Sequence, residues 1–142
     1  MRLDLDCVRD ILLCVEENTD LRHDCHFVEV DNFNIDSNEN DFPAYQNELQ
    51  KNYDNSTLLY HVYYCIKAGL VQKGMRYDDM QKISDLTPAG HEFLNNIRED
   101  NVWNGIKTVS SKVGAKSLEA VTQIASNVIT ELIKAQFGIG IR

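Results

Sequence analysis

The chain lacks most of the signatures that announce a chemistry. It has no glycine-rich phosphate loop, no GxSxG and no HExxH, which closes the motif-borne routes to phosphoryl transfer, serine hydrolysis and zinc proteolysis. Its carboxylates fall in loops or on amphipathic faces, where solvation is their ordinary state, so no catalytic residue and no cofactor is assigned. The four cysteines, at positions 7, 14, 25 and 65, form no CxxC pair, and in a reducing compartment they read as free thiols. No apolar stretch reaches bilayer length, and Met1 to Asp6 contains no basic segment leading into an apolar run. Neither a membrane span nor a signal peptide is expected, and the protein is expected to stay in the cytosol.

Positive charge is scarce in one region in particular. Residues 1–50 hold three Lys or Arg against 13 Asp or Glu, a net of −10, whereas residues 51–142 carry a net of +2. The first third would repel a phosphate backbone and the rest is nearly neutral, which is not the footprint of a protein that neutralises many phosphates. With 142 residues, 43% of them hydrophobic, the chain can build one domain with a real core.

Periodicity supplies the elements. Leu5, Val8, Ile11, Leu12 and Val15 recur at helical spacing behind Asp4, a cap residue, and predict a helix over 5–17. Phe27 to Val30 alternates as a short strand. Residues 31–41 read as a polar loop, and 45–51 as a short helix of thin apolar content. Leu58, Leu59, Val62, Cys65 and Ile66 give the apolar face of a third helix, capped by Asn55 or Ser56 and stopped at Gly69. A strand opens at Leu70-Val71, a turn is expected over 74–79, and Lys82 to Leu86 returns as a second strand. Thr87 caps and Pro88 opens a further helix, to about Asp100.

Beyond Val102 the composition turns basic. Leu118, Val121, Ala125, Val128 and Leu132 follow the alternating four-and-three spacing of a heptad seam. A helix over 105–137 is expected, with Gly105 and Gly114 as places where it can break, and Gly138 and Gly140 as its end. Its seam would pair with a second copy or a partner. The predicted fold is mainly α, of α+β type. It comprises a winged helix-turn-helix domain with a small β-hairpin wing over 1–101, followed by a long C-terminal helix within 102–142 for oligomerisation or partner binding.

Met1 to Leu12, the run Asn55 to Val71 with its YH…AGL motif, and Leu86 to Arg98 with LTPAGHEFL…IR before Val102-Trp103 resemble a family of small uncharacterised proteins from bacterial phages and prophages. The resemblance covers most of residues 1–107. It implies a winged-helix fold and a phage or prophage origin, and it brings no activity with it.

The third helix should present Tyr60, Tyr63, Tyr64 and Lys67 outward, with His61 beside them. Tyrosine supplies contact area at low entropic cost, whereas one lysine without Arg, Asn or Gln makes a poor reader of base edges. The wing adds Lys73, Arg76 and Lys82 against Asp78 and Asp79. His23, Cys25 and His26 are clustered, but zinc needs about four ligands and no second pair lies nearby, so no metal is assigned. These features favour a non-enzymatic module that binds and modulates a host or phage protein, such as a defence or nucleic-acid enzyme, and that dimerises through its C-terminal helix. The alternative is a dimeric DNA-binding transcriptional regulator.

Overall fold

The computed structural model describes residues 1–29, 42–77, 79–115 and 117–137. The polar loop expected over 31–41, Asp78 of the turn and the glycines expected to end the last helix lie outside the described residues. Within them the chain runs α1 (Leu5–Asn18), β1 (Cys25–Val28), α2 (Ala44–Gln50), α3 (Asn55–Lys67), β2 (Val71–Tyr77), β3 (Met80–Leu86), α4 (Pro88–Ile97), α5 (Asp100–Lys112) and α6 (Leu118–Phe137). It is therefore a mainly helical α+β protein with a small three-stranded antiparallel sheet, in the order β1-β3-β2. Its contacts divide it into two units, residues 1–90 and 91–142.

The first unit closes around the apolar faces of α1 and α3. Val8, Ile11, Leu12 and Val15 of α1, Leu58, Val62 and Cys65 of α3, and Phe27, Ile83 and Leu86 of the sheet are all buried. Each large side chain removed from water contributes about 1.5–3 kcal/mol before chain entropy is subtracted. The helix ends follow local chemistry. Asp4 caps α1 by accepting from the Cys7 N–H at 3.2 Å. The cap of α3 is Asp54, one residue before the expected position, and it accepts from the Thr57 N–H at 2.7 Å.

The C-terminus of α3 explains why AGL and LTPAG occur together. Gly69 takes φ +74°. Its N–H donates to the Ile66 carbonyl, and the Leu70 N–H reaches back to Cys65 at 3.0 Å, the paired bonds of a Schellman stop. Leu70 O then accepts from the Thr87 N–H at 3.0 Å. The Thr87 hydroxyl donates to Gly69 O and accepts from the Gly90 N–H, so Thr87 caps α4 as the sequence predicts. A Cβ at Gly90 would lie 1.9 Å from Leu70 O, a position only glycine can occupy.

Two expectations need correction. The turn expected over 74–79 is shorter, because Gly74 to Tyr77 continue β2 through a bulged register against β3. The single helix expected over 105–137 is two helices. Gly105 lies inside α5 without breaking it, whereas Gly114 takes φ +69°. The Gly114 N–H donates to Ser111 O and the Ala115 N–H to Ser110 O, a second Schellman stop. In the second unit α5 and α6 therefore pack on each other.

Candidate functional site

The candidate site is assembled from α3 and the hairpin, both within the first unit. Packing buries Leu58, Leu59, Val62 and Cys65, and helical geometry then turns positions 60, 63, 64 and 67 the other way. These residues line a cleft of about 620 Å³ with Ile66, and with Lys73, Arg76 and Gln81 of the hairpin. Six residues singled out from the sequence, Tyr60, Tyr63, Tyr64, Lys67, Lys73 and Arg76, thus share one surface. Tyr60 is 39% exposed, and its ring centroid lies 6.1 Å from that of Tyr64.

Two of the sequence-predicted residues do not join the cleft. His61 is a correction, because it is fully buried. Its Nδ1–H donates to Thr57 O at 2.8 Å, and its Nε2 accepts from the Asp4 N–H at 2.8 Å. These bonds fix the neutral Nδ1–H tautomer and tie the start of α1 to α3; one helical step from Tyr60 is enough to move the ring from surface to core. Lys82 lies instead with its Nζ 5.6 Å from the centroid of the Tyr77 ring, a cation–π distance.

Sequence reasoning missed Glu29. Its carboxylate pairs with Arg76 at 2.9 Å and accepts from the Tyr63 hydroxyl, which in turn accepts from Arg76. Arg76 is therefore charge-compensated. Lys67 and Lys73 have no carboxylate partner among the described residues. Among the described residues, the cleft's charge without a carboxylate partner is two lysines.

The clustered His23, Cys25 and His26 diverge. The His23 ring bonds Asp20 at 2.8 Å, the Cys25 side chain enters the core, and the His26 ring meets Tyr45 edge-on at a centroid distance of 6.3 Å. All four thiols are free and buried. Burial pushes Cys14, Cys25 and Cys65 up to about 12 and raises Cys7 as well, so the thiols stay protonated and poorly nucleophilic at neutral pH.

The seam residues divide. Leu118, Val121 and Ala125 are buried within the single chain, Val128 is half-buried, and Leu132 is 48% exposed. The first three were expected to meet a second copy or a partner. The stop at Gly114 lets α6 pack on α5, so only the distal turns of the seam stay open.

Residues 2–116 match the protein family described as "Hypothetical protein (DUF2513)". The chain belongs to the DUF2513 family. The match takes in the first unit from residue 2 onward together with α4 and α5, and it ends just before α6. The chain is also 36% identical, over 86 residues, to a protein of Haemophilus influenzae described as an uncharacterized protein. That alignment covers 57% of this chain and 72% of the relative. No solved structure matches. Among the described residues no helix is long and apolar enough to cross a membrane.

Proposed function

We propose that this DUF2513 protein is a non-enzymatic, winged-helix protein-interaction module of phage or prophage type, one that modulates a host or phage protein such as a defence or nucleic-acid enzyme. The element order of residues 1–97 and the β1-β3-β2 sheet support the winged-helix reading, with α3 in the place of the recognition helix and the β2–β3 hairpin in that of the wing. The extent of that domain, 1–101, and the association role of 102–142 belong to the same proposal.

The observation that carries the reading is the composition of the cleft. Three tyrosines line it, and its one arginine is held by Glu29. Tyrosine-rich, largely apolar clefts with a few fixed charges are what protein contacts use as anchor sites. Duplex binding would need many uncompensated cations along the same face. The regulator reading draws on the meeting of Lys67, Lys73 and Arg76 at one cleft.

A salt series with mixed-sequence duplex DNA separates the two. The interaction module leaves the duplex unbound even at low salt. In a parallel capture from host lysate, Tyr60→Ala/Tyr64→Ala abolishes recovery of the partner that the wild-type chain retains. Tight duplex binding that weakens steeply with salt, with a log–log slope near −0.9 per phosphate contacted, would overturn the reading in favour of the regulator.

A further inference from the structure

We infer that the cleft between α3 and the hairpin is also a small-ligand site, and that its ligand is a planar aromatic anion of the nucleoside monophosphate class. This goes beyond the protein-contact reading and does not depend on it. A cleft of about 620 Å³ falls inside the range of roughly 300–1,000 Å³ usual for small-molecule sites. One part of its lining is aromatic. The Tyr60 and Tyr64 rings lie 6.1 Å apart, tilted by 41°, with Ile66 also in the lining. Such a surface stacks any base, because every base has a π-face.

The charge of the lining defines the rest of the ligand. Glu29 compensates Arg76 at 2.9 Å, which leaves Lys67 and Lys73 as the lining's cations without a carboxylate partner among the described residues. Two ammonium groups match a phosphate monoester, which carries about −1.5 to −2 at neutral pH. The remaining lining is already committed. Buried Gln81 donates from Nε2 to Lys82 O at 2.9 Å and to Gly74 O at 3.3 Å. The Tyr63 hydroxyl is held between Arg76 and Glu29. These groups are ordered before a ligand arrives, which lowers the entropic cost of binding. A neutral aromatic molecule would leave both lysines unused, and an acidic side chain would leave the rings unused. A nucleotide uses both.

The test is calorimetric titration of the full chain with AMP, adenosine and inorganic phosphate. AMP binds saturably, and the other two bind at least about tenfold more weakly, in line with the worth of one stacked base or one charge-assisted contact. Lys67→Ala/Lys73→Ala weakens AMP at least about tenfold and leaves adenosine unchanged, while Tyr64→Ala weakens both. Lys67 and Lys73 are exposed, so the lysine variant tests binding without threatening the fold. A short 5′-phosphorylated thymidine oligonucleotide distinguishes the source. Tighter binding than AMP, lost in the same variants, assigns the site to a nucleic-acid strand end, whereas equal or weaker binding assigns it to the free nucleotide. The proposal is overturned if neither AMP nor the oligonucleotide saturates at millimolar concentration, or if binding survives both variants. These readouts use the isolated protein, so a blank leaves partner capture by the wild-type chain intact, and failed capture leaves the titration readable.

Discussion

At the residue scale, the side chain that most changes the meaning of its element is Gln46. α2 has little apolar content, yet Gln46 is fully buried. Its Oε1 accepts from the Val28 N–H at 2.8 Å, and its Nε2 donates to Val28 O at 2.9 Å. One amide thus occupies both backbone groups of Val28, as a neighbouring strand would. Tyr45 does the same for His26, accepting from its N–H at 2.7 Å and donating to its carbonyl at 2.9 Å. The two residues cover the open edge of β1, an edge that would otherwise invite pairing with another chain. Gln46→Leu keeps the bulk but removes both bonds and the Nε2 bond to Asn55 Oδ1 at 3.0 Å, leaving the Val28 N–H unmatched and its carbonyl with only the Asn55 Nδ2 donor at 3.4 Å. It should cost about 1–3 kcal/mol. Urea denaturation reads this as a lowered midpoint with an unchanged slope, and an unchanged midpoint would mean that water satisfies Val28 equally well.

At the element scale, two glycines of one apparent helix make opposite predictions. Gly105 lies within α5, and an added Cβ there would meet nothing within 4 Å. Gly105→Ala should stabilise the protein by about 0.5–1 kcal/mol through helix propensity. Gly114 has equally open surroundings but φ +69°, so Gly114→Ala should destabilise it by about 1–2 kcal/mol. Thermal melts of the pair should move in opposite directions. If both rise, the stop after α5 is not a fixed feature of the chain.

The same contrast shows what was legible in the sequence. Asp4, Gly69 and Thr87-Pro88 act on backbone groups a few residues away, so their roles could be read locally. Either glycine could be named as a break, but the sequence alone could not choose between them, because the choice depends on which carbonyls the Schellman bonds reach. The three tyrosines and Lys67 followed from helical spacing. His61 did not, because one helical step decides whether a ring faces the core. Glu29 was out of reach too: its partner Tyr63 lies 34 residues on, and Gln46 reaches 18 residues back to Val28. Contacts of that range depend on strand order, which periodicity does not carry.

At the scale of the whole molecule, the question is what the open end of α6 meets. Proximal seam residues are used within the chain, but Leu132 and Ile133 stand 48% and 49% exposed. The charge near them is self-compensated, Lys134 lying 3.8 Å from Glu131, so the distal turns are apolar without a net charge to keep copies apart. Burying them against the same turns of a second copy satisfies the two-fold symmetry most soluble dimers use. The surface is small, a few turns of helix, so the dimer should be weak and concentration-dependent. Leu132→Asp/Ile133→Asp places two carboxylates at the centre of that contact and should convert the dimer to monomer in sedimentation. Because both positions are exposed in the single chain, the melting temperature of the monomer should hardly move. A wild-type chain that sediments as a monomer at high concentration would refute self-pairing, and the distal turns of α6 would then be a second surface for the partner that the cleft of α3 engages.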